Sequence, residues 1–329
     1  MGHFQFQYQR LLNNATPVFR SYWEFAAKRQ EIFFKRQESQ APPWTDDPIL
    51  ERHKFTNAYR AADRVSQYLI KNVIYTGDYS NEDVFFRVFL FKIFNKIETW
   101  ESLVEQFGEV TYDEFSFSAV QKYLSAALLK KKKIFSGAYI MPSGVSSFGR
   151  KRKHENYLLL LERMMEDDVC YRVQECQHTK DVYKLLLSYP MIGPFLAYQL
   201  TTDINYSTII DFPETEFVIA GPGAIDGVAK CFQHSVGLSP EEIIIFVTRE
   251  QDYFFDLYEI NFKSLWGRPL QLIDCQNLFC EISKYSRVAF PDVVGTNNRK
   301  KIKQLFKPTW KTIDYFFPPK WSLNELMQK

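Results

Sequence analysis

Residues 185–199 read L-L-L-S-Y-P-M-I-G-P-F-L-A-Y-Q. An apolar helical run that includes Val182, Leu185 and Leu186 stops at Tyr189-Pro190, and a tight turn follows through Met191-Ile192-Gly193. A second apolar helix then starts at Pro194, a residue suited to a first helical position. The stretch predicts two helices joined by a hairpin. Amides at the start of the second helix point outward and the helix dipole adds partial positive charge, so a phosphate oxygen can dock there without any reading of base sequence. Hairpins that grip phosphate in this way carry a glycine on each side of the central aliphatic. Here Met191 holds the first of those places and Gly193 the second. The same letters also describe an ordinary corner in a helical core, and the stretch alone leaves both readings open.

Composition agrees with a helical protein. Aromatic residues make up 17% of the 329, with 30 Phe and 19 Tyr against only 13 Gly, which favours large side chains packed between helices. The net charge is +2, so affinity for nucleic acid has to come from local patches. Two basic runs supply them: Lys130-Lys131-Lys132-Lys133 and Arg150-Lys151-Arg152-Lys153. The five cysteines form no C-x-x-C pair, so neither a disulfide framework nor a zinc site is expected, and no metal or cofactor is assigned. No apolar run approaches the roughly 18 residues that span a bilayer, and the first residues lack the apolar centre of a secretory signal. The expectation is an intracellular protein, cytoplasmic or nuclear, with no membrane association. The sequence does not set an oligomeric state.

Along the chain, residues 1–45 read as an amphipathic helical extension ending at Ala41-Pro42-Pro43-Trp44, usable as a basic, aromatic contact arm or as a packed helix. Residues 46–305 form the main domain, and 306–329 a basic and aromatic tail. Within the main domain, Phe55 to Val73 keeps helical spacing. Asp83 to Trp100 reads as one helix, apolar nearly all round, and Arg87, Lys92, Asn95 and Glu98 inside it need partners or a polar cavity. Further helices are expected over 113–129, over 156–165 where either His154 or Glu155 at the start can project into a cleft, and over 239–260 behind a Ser239-Pro240-Glu241-Glu242 cap. The run A-G-P-G-A at 220–224 allows close backbone approach to another helix or a ligand. On the helix over 272–288, Asp274, Asn277, Glu281, Lys284 and Tyr285 share one face, readable as an acid-base constellation or as a salt-bridged solvent face. A phosphate-binding G-x-x-x-x-G-K-[ST] run is absent from these residues, so P-loop kinase chemistry has no seat among them.

Five blocks in order, R-H-K-F-T-N-A-Y-R-A-A-D-R-V-S-Q-Y-L, L-F-K-I-F-N-K-I-E-T-W-E, Y-P-M-I-G-P-F-L-A-Y-Q-L, F-V-I-A-G-P-G-A-I-D-G and Q-L-I-D-C-Q-N-L-F-C-E-I-S-K-Y, carry a resemblance. Over roughly residues 50–305 the chain resembles the helical domain of the phage 5-hydroxymethyl-deoxyuridine DNA kinases and the related α-glutamyl/putrescinyl-thymine pyrophosphorylases, proteins of DNA base hypermodification. The resemblance implies an all-α, two-lobed fold similar to the helix-hairpin-helix DNA glycosylases, acting on a thymine-derived base in duplex DNA. In such pathways hydroxymethyluracil is phosphorylated and an amine then displaces the activated group. Kinase activity is not carried over to this chain.

On that footing the expected mechanism has Met191, Ile192 and Gly193 holding the DNA backbone. Lys131, Lys132, Arg150, Lys151 and Arg152 steer the duplex, and a base is flipped into a pocket between the lobes. A glycosylase-like site wants a carboxylate about twenty residues past the hairpin, to stabilise developing charge or activate a nucleophile. Asp211 and Glu216 bracket that distance and Asp203 lies closer, so these three are the catalytic candidates. Lysine is absent from that interval, which argues against a Schiff-base step there. Asp226, Asn277, Lys284, Asp274, Tyr285 and Asn95 are the candidates for contacting the base. Three activities stay open: a base-modifying transferase, a glycosylase for a modified pyrimidine, and a non-catalytic reader of modified DNA.

Overall fold

The computed structural model describes residues 2–137, 142–308 and 313–328. Among them the chain is all-helical with no strand. The α-helices in chain order are α1 (Gly2–Leu12), α2 (Pro17–Gln37), α3 (Pro48–Arg52), α4 (Arg64–Tyr68), α5 (Asn81–Phe94), α6 (Ile97–Phe107), α7 (Phe117–Leu129) and α8 (Val145–Phe148). They continue with α9 (Lys153–Glu166), α10 (Val169–Gln174), α11 (Thr179–Leu187), α12 (Pro194–Ile204), α13 (Pro222–Cys231), α14 (Pro240–Arg249), α15 (Gln251–Leu257) and α16 (Leu272–Ala289). Residues 1–63, 214–315 and 322–329 make one compact unit, and residues 64–213 and 316–321 a second. None of these helices is long and apolar enough to cross a membrane.

In the first unit α13 lies on α16, and α2 and α14 pack around the pair. Gly221 and Pro222 start α13, with Pro222 as its first residue. Gly223 and Gly227 of the A-G-P-G-A-I-D-G run then face α16. A Cβ on Gly223 would sit 3.0 Å from Cys280 Sγ, and one on Gly227 would overlap the Phe279 carbonyl oxygen. Glycine is therefore required by backbone proximity at Gly227, which realises the close helix approach this run allows. Phe19, Tyr22 and Trp23 of α2 are fully buried, and Tyr22 stacks at a tilt on Phe279. The N-terminal aromatic face is core, not a free arm. Ser239 caps α14 with the expected reciprocal box, its hydroxyl accepting from the Glu242 amide while the Glu242 carboxylate accepts from the Ser239 amide.

The second unit is built on α5, which has ten consecutive buried residues from Phe85 through Phe94 preceded by buried Val84. It packs against α6, α9, α10 and α12. The sequence predicts one helix from Asp83 to Trp100, and the structure corrects this. Asn95 adopts a left-handed conformation (φ 47°) that caps α5, and α6 starts afresh at Ile97. Asparagine tolerates that conformation because its side chain bonds locally, so a turn fits inside an apolar pattern that gives no hint of it. The helical spacing from Phe55 to Val73 is likewise interrupted. Residues 53–59 are irregular, a 3-10 turn covers Arg60–Ala62, and α4 runs into a π-helix over Leu69–Ile74. The helix expected over 113–129 begins only at Phe117, behind a Ser116 cap. Part of the loop between the basic runs, residues 138–141, and part of the tail, 309–312, lie outside the described residues.

The glycine contact yields the first expectation. Gly227→Ala adds helix propensity worth about 1 kcal/mol, but the overlap with Phe279 dominates, and overpacking of this kind costs about 3 kcal/mol. Chemical denaturation should show that net loss, and a variant as stable as the parent would contradict the packing described.

Candidate functional site

The hairpin belongs to the second unit. α11 ends at Leu187, the chain turns over 188–193, and α12 begins at Pro194. Met191 occupies the left-handed region at φ 68°, the conformation for which a glycine is the easy choice and which costs a non-glycine about 1 kcal/mol or more. The missing glycine is thus replaced without loss of the turn. Ile192 is buried and anchors the turn, whereas Gly193 and Pro194 are exposed. Gly193 is the N-cap of α12 with no side chain capping it, and a Cβ placed there would have nothing within 4 Å. Its φ of −84° is ordinary, so nothing inside the protein demands glycine at this place.

The second basic run lies beside this turn. A Cβ on Gly144 would meet the Met191 thioether and lie 2.8 Å from Asn156 Cβ. Asn156, fully buried at the start of α9, accepts from the Arg150 amide (3.0 Å) and donates to the carbonyls of Ser143 (2.9 Å) and Arg150 (2.8 Å). Arg150, Lys151 and Arg152 are exposed next to it. The first run joins the same region: Lys153 Nζ lies 4.5 Å from the ring centroid of Phe135, two residues beyond Lys133. Lys131 and Lys132 are exposed. Of the two side chains able to reach a cleft, His154 is instead buried against α7, where its Nε2 pairs with Ser125 Oγ at 3.0 Å. Burial lowers its pKa.

The three catalytic candidates sit in different surroundings. Asp203, on α12, is fully buried and ion-paired at 3.1 Å with the buried Lys92 of α5. Asp211 lies in the same unit, on a loop fixed at both ends. Asn205 accepts from the Phe212 amide and donates to the Phe212 carbonyl, both at 3.0 Å. Lys320 reaches in to donate to the carbonyls of Ser207 (3.1 Å) and Ile210 (2.8 Å), and its Nζ stands 3.2 Å from Asp211 Oδ1. The Asp211 side chain is 80% exposed. Lys320 and Asn205 were missed by sequence reasoning. Asn205 is close enough in sequence to have been noticed as a loop clamp, but nothing local connects Lys320 to Asp211. Glu216 is exposed in the first unit.

Among the base-contacting candidates, Asp226 is a fully buried hub of the first unit. It accepts from Ser283 Oγ, Thr296 Oγ1 (3.3 Å) and the Asn297 amide (3.0 Å), and faces Lys230 Nζ at 3.3 Å. A Cβ on Gly295 would overlap its carboxylate. Burial pushes its pKa up, but the Ser283 and Asn297 hydrogen bonds and the Lys230 charge outweigh that and hold it below the usual range. The α16 face is half-buried against the chain over 47–60. Asp274 accepts from the amides of Arg60 (2.7 Å) and Gln271 (3.0 Å). Glu281 accepts from the Thr56 amide and pairs with Lys284 at 2.7 Å, while Tyr285 donates to Asp47 at 2.8 Å. Asn277 is half-buried. Asn95 belongs to the second unit, where it is the left-handed cap of α5. Among the described residues no group of three or more His, Cys, Asp or Glu is arranged to hold a metal ion.

Burial pushes Asp274 up to about 7 against the opposing amides, and Asp63 is pushed up to about 7 in the same way. Between the unfolded value of about 4 and that folded value, the folded chain binds more protons, so each group makes stability fall as pH rises from about 4 to 7 and level off above. For Asp274 the loss is on the order of 4 kcal/mol. Asp274→Asn should remove its share of that slope in denaturation measured at pH 5 and pH 8. An unchanged slope would contradict a protonated Asp274.

The chain matches the family model described as 5-hmdU DNA kinase, helical domain, over residues 16–295. It is 25% identical over 276 residues to the 5-hmdU DNA kinase of Bacillus phage SP10, an alignment covering 78% of this chain and 43% of that protein. The chain thus spans less than half the length of the relative. No solved structure matches it.

Proposed function

The chain belongs to the family of the 5-hmdU DNA kinase helical domain, and from that premise we propose that it acts on a thymine-derived base, hydroxymethyluracil or its activated form, within duplex DNA. The relative is named for a reaction on 5-hmdU in DNA. These 329 residues contain no G-x-x-x-x-G-K-[ST] run. The proposal therefore gives them the handling of DNA and base, with a transferase step of the hypermodification kind, rather than phosphoryl transfer from ATP.

The observation that carries the DNA part is the exposed, side-chain-free start of α12 beside a basic run. Gly193 leaves room for a phosphate to approach the helix N-terminus, the Met191-Ile192 turn holds the amides in place, and Arg150, Lys151 and Arg152 lie on the adjoining loop. Lys131 and Lys132 extend the positive surface. In this reading the unit grips the backbone as a helix-hairpin-helix, and a nucleotide leaves the stack to be acted on.

Asp211 is the catalytic carboxylate of the proposal. It is exposed, it sits on a loop clamped by Asn205 and Lys320, and the ammonium of Lys320 keeps a compensating charge beside it. Such a group stabilises positive charge developing on a substrate or takes a proton from an attacking amine. Glu216 is retained as the second candidate. Asp203 is better assigned to holding α12 through Lys92, and Asp226 and Asp274 to holding the first unit together. Residues 46–305 are the proposed base-modifying body, with the buried α2 contributing to its core.

Nucleoside mass spectrometry after incubation with duplex DNA containing hydroxymethyluracil, or its phosphorylated form with candidate amines, tests the reading. A new nucleoside mass that disappears in Asp211→Ala, with DNA binding retained, is the expected result. Release of free base with abasic sites would replace the transferase by a glycosylase. Unaltered DNA in a preparation that still binds it would reduce the protein to a reader.

A further inference from the structure

The proposed function leaves one strongly charged surface of the first unit unused. Residues 293–308 carry no carboxylate and five cations, Arg299, Lys300, Lys301, Lys303 and Lys307, all of them exposed. The net charge of the whole chain is only +2, so this segment is a concentrated exception to it. Among the described residues none of the five is ion-paired with a carboxylate.

A block of like charge is ordinarily a loose, self-repelling arm. Here the backbone is fastened along its length. At the start, Asp226 accepts from Thr296 Oγ1 and the Asn297 amide, and Asn297 Oδ1 accepts from the Arg299 amide at 3.0 Å. In the middle, Ile302 is buried and the Lys301 carbonyl accepts from Arg287 of α16 at 3.4 Å. Lys301 and Lys303 stand exposed on either side of Ile302, so the anchor turns inward and the charges outward. At the end, the segment pairs antiparallel with residues 52–54. The Lys54 amide donates to the Gln304 carbonyl and the Phe306 amide to the Arg52 carbonyl, both at 3.0 Å. Phe306 sets its ring across that of Trp44, 6.3 Å between centroids.

The pairing adds two more exposed cations, Arg52 and Lys54, to the same strap. The positive field also reaches inward: burial lowers the Arg287 pKa, and the Arg299 charge lowers it further against the opposing pull of Asp226. Cations of one sign held at fixed places repel one another, and no carboxylate of the described residues neutralises those of the strap. A partner with a row of negative charges removes that repulsion. Lysines meet phosphate as point charges and read no base, so the set suits a sugar-phosphate backbone.

We propose that this strap, with Arg52 and Lys54, is a second seat for the phosphate backbone of duplex DNA, on the unit that does not carry the hairpin. It rests on the reading of the chain as a DNA-acting protein, and it supplies affinity indifferent to the base and its 5-substituent. Each phosphate it neutralises releases condensed counter-ions, so its contribution is steep in salt.

The test is a full-chain variant combining Lys300→Gln, Lys301→Gln and Lys303→Gln, three exposed side chains without ion pairs. Affinity for an unmodified duplex should fall about tenfold or more at low salt, and the slope of log affinity against log salt should flatten by about two to three, at an unchanged thermal midpoint. A second readout is local and does not follow net charge. Reductive methylation of the parent chain with and without saturating duplex, followed by peptide mass spectrometry, should show Lys300, Lys301 and Lys303 shielded by the DNA. A triple variant with the parent's affinity and slope, or strap lysines that react equally with and without duplex, would overturn the proposal and leave the hairpin reading in place. A parent chain that binds no duplex would overturn both.

Discussion

The buried ion pair between Lys92 and Asp203 is the constraint on which the proposed DNA-gripping unit depends. Both side chains are at most 5% exposed, so each would carry a large desolvation penalty alone, and removing one partner of such a pair commonly costs about 3–5 kcal/mol. The pair ties the last turn of α5, the apolar centre of the unit, to the last turn of α12. Because α12 is locked at that end, the position of its first turn is set by a rigid helix rather than by the loop before it. This explains how the turn tolerates Met191 in a left-handed conformation: the helices on either side determine the path, and the local strain of about 1 kcal/mol is small beside the packing that enforces it.

The first unit rests on a different device, backbone contact between α13 and α16 at glycine, sealed by a carboxylate. Asp226 binds α16 through Ser283 and the chain at 295–297 through the Asn297 amide, and Lys230 neutralises it while donating to the Ser283 carbonyl. Every bond satisfies a buried group, as the cost of leaving one unmade requires. Asp274 works similarly on the chain at residue 60. Carboxylates that looked like a substrate-contacting set in the sequence are thus, in large part, the fasteners of irregular main chain to a helix.

What could be read from the sequence was whatever depends on near neighbours. The G-P start of α12, the Ser239 box, the close backbone approach at the A-G-P-G-A run and the long buried α5 all follow from local chemistry. The break at Asn95 did not, because an apolar run continues on both sides and one asparagine suffices for a left-handed cap. The irregular stretch over 53–59 escaped for the opposite reason: its residues keep helical spacing while their amides bond to carboxylates outside the stretch, Thr56 to Glu281 far along the chain and Asn57 to Asp63 just beyond the 3-10 turn. The surroundings of Asp211 were half legible. Asn205 lies close to it, whereas Lys320 arrives from the far end of the chain, and spacing arguments that searched for a lysine after the hairpin had no means of finding it. The surroundings of Arg87 were legible only as a question, since an arginine in an apolar helix demands partners, and these are the carbonyls of Val73 and Val110.

The start of α12 as a seat for DNA phosphate is the most direct point at which DNA binding by this unit can be tested. Gly193→Glu is the sharpest probe, because its backbone suits any residue and its side chain would enter open space, so the fold should be kept while a negative charge is placed where a phosphate is to sit. Affinity for a duplex measured across a salt series should be markedly lower for this variant, with a shallower salt dependence, at an unchanged thermal midpoint. A variant that binds the duplex as tightly and with the same salt dependence as the parent would contradict the account.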